Sequence, residues 1–259
     1  MARNDRDGEV PSTRTNEWRD VQAALQLARQ MAQGTAQALR SLQFPAMRSH
    51  VLRPADPRLA AQPSQRQARV RALLVTHFRL RGFDPFDVLN LTDGYRRLHR
   101  RLMRLDRGSF RMVTSQVANS VAAGGGGDTF GYVMPDDDHI YLNETYFSLG
   151  GGAATDPSSR GAGAVRSRTG RSEVVAGGGD VHVQQSLPVR AGVILHEATH
   201  LVFGADGAVH RAINAGTSIT VSGDDCAHGY PQIMTLTQAI GDAYVWEKFA
   251  HCVHAATTR

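Results

Sequence analysis

An α+β fold is predicted for this chain of 259 residues by three observations. Apolar residues recur at spacings of three and four through roughly the first hundred positions, as amphipathic helices require. Between 109 and 147 that period gives way to short stretches with strand character. A longer apolar segment, 187–204, is again compatible with a helix and holds polar residues that a buried helix does not carry without cause. The expected architecture is a set of N-terminal helices, a small antiparallel sheet and one helix bearing the chemistry. With 41% hydrophobic and 20% charged residues, the chain can bury one substantial core. It has no apolar run of about eighteen residues, so a membrane-spanning helix is excluded.

Residues 1–16 are polar and without period, and are expected to form a disordered tail. A stripe follows at Trp18, Val21, Leu25, Ala28, Ala32, Leu39 and Leu42, interrupted by Gly34 and ended by Pro45. Residues 44–64 hold Pro45, Pro54, Pro57 and Pro63 and read as a linker, so 17–64 forms an N-terminal helix and Pro-rich connection. A second helix is predicted over 65–80, with Val70, Leu73, Leu74 and Phe78 inward. A turn at 82–87 leads to a third from about Asp87 that Gly108 stops. Its polar face carries Arg96, Arg97, Arg100, Arg101 and Arg104. Strands are expected within 109–117, 129–134 and 139–147. Residues 148–180 are Gly-rich and aperiodic, which predicts a flexible insert within a main domain over 65–259.

The net charge of +5 conceals an asymmetry: residues 1–111 carry 21 Arg against 10 acidic residues, while the remainder is net acidic. A basic front raises nucleic-acid binding, but an Arg-rich solvated helix face accounts for it more simply. The chain has 28 arginines and one lysine, Lys248. Cys226 and Cys252 allow at most one bridge, or two free thiols. The opening MARNDRDGEV is charged and lacks an apolar stretch. No ordinary signal peptide is therefore expected, and the location is cytoplasmic or reached by another export route.

The chemistry concentrates in 187–228. His196-Glu197-Ala198-Thr199-His200 places two imidazoles four residues apart, on one face of a helix, where both can ligate one Zn²⁺. Glu197 can then take a proton from an activated water. The flanks Val193, Ile194, Leu195, Leu201, Val202 and Phe203 are apolar, and Gly204 stops the helix. A catalytic zinc needs a third protein ligand, and Asp206, His210, Asp224 and Asp225 are candidates between which spacing does not choose.

These residues resemble the aspzincin family of zinc endopeptidases, which includes deuterolysin and the peptidyl-Lys metalloendopeptidases. Family members follow the histidine motif with a GTxDxxYG-type motif, and SGDDCAHG (222–229) is similar to it. YVMPDDDHIYLNETYF (132–147) and AIGDAYVWEKF (239–249) are similar to two further family segments. The resemblance covers about 65–255 and implies a zincin-like fold. It makes Asp225 the third zinc ligand beside His196 and His200. It also implies an oxyanion donor at the motif tyrosine, here His228, with Tyr230 as the alternative, and places Asp242 at the substrate pocket. The gap from His200 to Asp225 is long for the family, and Asn143 stands where members have a cysteine.

The expected function is a zinc-dependent endopeptidase acting on a protein or peptide, of the kind a bacterial effector or toxin supplies. Two other readings stand beside it: a non-catalytic interaction protein on a degenerate scaffold, and an Arg-rich nucleic-acid-binding module.

Overall fold

The structure, a computed structural model, describes residues 15–51, 64–80, 82, 84–113, 130–134, 136–143, 146–147, 187–205, 207–214 and 225–258. The expected tail and the Gly-rich insert lie outside these residues. The described part is mostly helical with a small mixed sheet, in keeping with the α+β expectation.

Helix α1 (Thr15–Val51) runs through Pro45, where the sequence predicts a stop. Proline has no N–H to give the carbonyl four residues earlier, which is that of Ser41. That carbonyl instead accepts a hydrogen bond from Gln67 Nε2 at 3.0 Å, so its polar demand is met from the next helix. The predicted stripe is the buried one: Val21, Leu25, Ala28, Ala32, Leu39 and Leu42 are in the core, and Trp18 packs at its edge.

Helix α2 (Gln65–Phe78) starts at a capping box, with Ser64 accepting from Gln67 N and the Gln67 side chain accepting from Ser64 N. It ends at Arg79, which takes the left-handed conformation at φ 56°. Helix α3 (Pro85–Arg104) starts at Asp84 followed by proline, a favourable pair for a first turn. The Arg29 guanidinium of α1 donates to the carbonyls of Leu102 and Leu105 at 3.1 and 2.9 Å, adding to the Leu105 N–H bond that already caps the Leu102 carbonyl at the end of α3.

Strands β1 (Phe110–Val113), β2 (Gly131–Val133) and β3 (Ile140–Asn143) form a sheet in the order β1-β3-β2. The expected all-antiparallel arrangement is corrected: β2 pairs antiparallel with β3, but β1 runs parallel to it. A parallel pair needs a long crossover rather than a hairpin, and the chain between 113 and 140 is long enough to provide one. The central strand β3 is buried at all four positions. On one sheet face Tyr132 and Tyr141 stack with ring centres 4.9 Å apart.

Helix α4 (Leu187–Phe203) packs against α1, α3, β2 and the C-terminal helix α7 (Ala243–Thr257), with the short α5 (Ala208–Asn214) and α6 (Leu236–Ile240) between them in sequence. Gly204 turns the chain out of α4 at φ +59°, and its N–H bonds the His200 carbonyl at 2.8 Å. Arg190 anchors the start of α4 through Asp20 at 3.0 Å and the Phe147 carbonyl at 3.3 Å.

The core of α7 is fixed by Trp246. Tyr95 OH donates to the Trp246 carbonyl at 2.8 Å, and the indole lies directly over Gly94. A methyl at Gly94 would come within 2.4 Å of the ring. Gly94→Ala is therefore expected to cost about 1–3 kcal/mol through overpacking, read as a lower denaturation midpoint with an unchanged slope.

Candidate functional site

The site is built on α4, which is buried from Ile194 through Thr199. His196 and Glu197 are only 8% and 5% exposed, and His200 is half-buried. Such burial is costly for three polar side chains unless each has a partner. The Nε2 atoms of His196 and His200 stand 3.2 Å apart. Two nitrogens bound to one tetrahedral Zn²⁺ at about 2.0–2.1 Å would be separated by about 3.3–3.4 Å. The donor pair therefore fits a metal with little adjustment.

The other nitrogen of His196 is held from behind. Its Nδ1 lies 3.1 Å from Glu247 Oε2 on α7. With the Nδ1 proton given to that carboxylate, Nε2 presents its lone pair toward His200, the tautomer a metal ligand needs. Gly192 makes the contact possible. It sits one turn before His196, and a Cβ there would meet Glu247 Oε1 at 2.7 Å. Tyr244 packs edge-on against His196, with ring centres 4.4 Å apart.

Tyr230 continues this wall, its ring 6.0 Å from that of Tyr244. Burial pushes its hydroxyl well above the ordinary range, reinforced by the negative charge of Glu247, so it keeps its proton. Lys248 Nζ lies 4.8 Å from the centre of the Tyr230 ring, in a cation–π geometry. Arg79 fixes the segment from the other side, donating to the carbonyls of Ile233 and Tyr230 at 2.8 and 3.1 Å.

Asp225 and His228 are paired with each other. Asp225 Oδ2 pairs with His228 Nδ1 at 2.8 Å, and Oδ1 accepts from Ala227 N at 3.0 Å. The bond to His228 holds the Asp225 carboxyl below its usual range. Among the described residues no group of three or more His, Cys, Asp or Glu side chains is arranged to hold a metal. A disulfide between Cys226 and Cys252 ties this turn to the later part of α7. Cys252 lies five residues beyond Glu247, about 7.5 Å further along the helix axis. The His228 side chain is 73% exposed, whereas Tyr230 is buried beside Tyr244. Of the two oxyanion-donor candidates, Tyr230 is the one on the wall next to His196.

Asp242 is fully buried and caps α7. Its Oδ1 accepts from Tyr244 N at 3.1 Å and its Oδ2 from Val209 N at 2.7 Å. The carboxylate joins α5 to α7 rather than lining an open pocket. Of the other third-ligand candidates, Asp206, Asp224 and the His210 side chain lie outside the described residues.

Glu247 is the residue that sequence reasoning missed. The available signal was a carboxylate within the apolar AYVWEKFAHCV stretch, together with a glycine inside the motif helix at 192. Neither reveals a contact across 51 positions.

His77 lies beneath the Asp225 turn, and burial, then Lys248 and Arg79, lower its pKa from 6.5 to about 3. The opposing influences are a backbone hydrogen bond with Cys226 and the charge of Asp225. The unfolded chain binds this proton below about pH 6.5 and the folded chain does not until about pH 3, so stability is full above that window and declines on acidification through it. His77→Phe is expected to flatten the loss between pH 6 and 4 in chemical denaturation.

No protein-family model, curated protein or solved structure matches this chain.

Proposed function

We propose that this chain is a zinc-dependent endopeptidase of the aspzincin kind. The observation that carries the reading is the His196–His200 pair, whose Nε2 atoms are 3.2 Å apart with Glu247 behind His196. His196 and His200 would hold Zn²⁺, with a third ligand from Asp206, His210 or Asp224, or from Asp225 after release from His228. The ion would supply Lewis acidity, bringing a water's pKa toward neutrality.

The chain's own groups divide the remaining work. Glu197, one position and about 100° around the helix from His196, accepts the water proton and delivers it to the leaving amine. Glu247 orients His196. Tyr230, protonated throughout the working range, is the hydroxyl donor for the developing oxyanion. Strand β2 lies beside α4, with a Cβ at Gly131 coming 3.4 Å from Val193 Cγ1. It is the edge strand of the described sheet, opposite β1, and an extended peptide can pair with such an edge.

The disulfide favours the exported one of the two expected locations, because such bridges are rare in a reducing cytosol. No helix among the described residues is long and apolar enough to cross a membrane.

A binding-only role on a degenerate scaffold draws on one observation, the engagement of Asp225 with His228. Casein hydrolysis and metal analysis separate the two readings. An endopeptidase shows one zinc per chain and hydrolysis that a chelator removes and zinc restores. Stoichiometric zinc without hydrolysis would favour the binding role, and absence of both would defeat the zinc assignment. Asp225→Ala, Asp206→Ala and Asp224→Ala, each assayed for zinc, identify the carboxylate that completes the site.

A further inference from the structure

Cys226 and Cys252 join the turn that carries Asp225 to helix α7 across 26 positions. The two residues are unequally reachable. Cys252 is 1% exposed, while Cys226 is half-buried and followed by the exposed Ala227 and His228. The segment beyond the turn is held on its own account. Gly229 lies so close to α2 that a Cβ there would stand 2.2 Å from the Thr76 carbonyl oxygen, and Arg79 holds the Tyr230 and Ile233 carbonyls. Residues 225–228 lean more on the bridge. Asp225 bonds His228 and Ala227 within the turn itself, and a hydrogen bond joins the Cys226 backbone to His77.

Lys248, the one lysine of the chain, stands four residues before Cys252 on the same face of α7. It is 1% exposed, with its ammonium 4.8 Å from the centre of the Tyr230 ring. Its charge also acts on Asp225, adding to the hydrogen bond from His228 that lowers this carboxyl. The ammonium therefore serves both arms of the bridge. It lies one turn from Cys252 along the helix and within electrostatic reach of the residue next to Cys226. A cation beside a thiolate stabilises it, and a stabilised thiolate leaves a disulfide faster.

We propose that the Cys226–Cys252 bridge is a redox latch on the Asp225 turn, opened by a dithiol reductant that attacks the sulfur of Cys226 and expels Cys252 as a thiolate beside Lys248. The second thiol of the reductant then attacks the mixed disulfide, closes its own disulfide and expels Cys226. Two electrons pass from the dithiol to the protein, and its two thiol protons end on Cys226 and Cys252. Opening releases 225–228 from α7 and leaves 229–233 in place. The regulatory sense of the latch rests on the zinc peptidase proposed above, because the turn carries a candidate zinc ligand and leads into Tyr230. Closed, the latch holds the turn for hydrolysis; opened in a reducing compartment, it idles the chain.

The test treats the full chain with dithiothreitol at fixed pH and times opening by thiol trapping and mass spectrometry. Lys248→Met keeps the length of the side chain and loses its charge, and should open about threefold more slowly. A variant whose fold was merely loosened would open faster, so the sign separates the two roles. Hydrogen exchange then compares the oxidised chain with Cys226→Ala/Cys252→Ala, which has no thiol to bind zinc. The double variant should exchange at least about tenfold faster at 225–228, with 230–233 and α4 unchanged and the helical circular dichroism retained. Its casein hydrolysis should fall at least about tenfold. Opening of Lys248→Met at the native rate or faster, unchanged exchange at 225–228, or global unfolding without the bridge would each overturn the latch. Casein hydrolysis at the native rate in the double variant would overturn its regulatory role. A native chain with neither zinc nor hydrolysis would defeat the peptidase reading instead, and the exchange and opening rates would still decide the latch.

Discussion

Glu197→Gln is expected to lower peptide hydrolysis by about 10²–10⁴-fold while leaving one zinc per chain. Glutamine preserves the size of the side chain in a position that is 5% exposed, so packing of α4 is retained. It removes the group that accepts the water proton. Nothing in the change touches the imidazoles of His196 and His200. Activity and metal content should therefore separate, which a general folding defect would not permit. Hydrolysis at close to the original rate in Glu197→Gln would remove this residue from the mechanism.

Glu247→Ala has the second-largest expected effect, a loss of about 10–100-fold in zinc affinity, measured by competition with a chromogenic chelator. The carboxylate accepts the Nδ1 proton of His196 at 3.1 Å and sets the direction of its other nitrogen. Without it the ring can rotate or change tautomer, and the donor pair loses its arrangement. Glu247→Gln should lie between the native chain and Glu247→Ala, because an amide oxygen can still accept that proton but carries no charge. Gly192→Ala should act in the same direction, since the added methyl falls 2.7 Å from Glu247 Oε1. Unchanged zinc affinity in Glu247→Ala would make the contact one of packing alone.

The parts of this molecule legible in the sequence are those set by local spacing. The α1 stripe from Val21 to Leu42, the Ser64 start of α2, the α4 helix with two histidines one turn apart and its Gly204 stop all depend on residues close along the chain. The parts that local spacing does not carry depend on partners far away. Pro45 did not end α1, because Gln67 satisfies the Ser41 carbonyl that proline leaves unpaired. The sheet gained a parallel pair because β3 lies between β1 and β2. Asp242 reads as a pocket residue by resemblance, but its carboxylate is spent on the backbone N–H groups of Val209 and Tyr244. Asp225 sits beside a cysteine whose bridge to Cys252 spans 26 positions and binds its turn to α7.

The single lysine gains a physical setting. Lys248 is 1% exposed, with its ammonium over the Tyr230 ring. Its charge, after the burial of His77 itself, contributes to the depressed pKa of His77. The Arg-rich front likewise resolves into separate tasks: Arg29 bonds carbonyls at the end of α3, and Arg97 and Arg101 hold α3 to its neighbours.

The central claim is that His196 and His200 share a zinc ion. An anomalous difference map from crystals of the native protein, collected on both sides of the zinc absorption edge, tests it most directly. The expected result is one peak at about 2.0–2.1 Å from both Nε2 atoms, with a third protein ligand beside it. An ordered His196–His200 pair with no peak between its nitrogens, in crystals grown with zinc present, would contradict the claim.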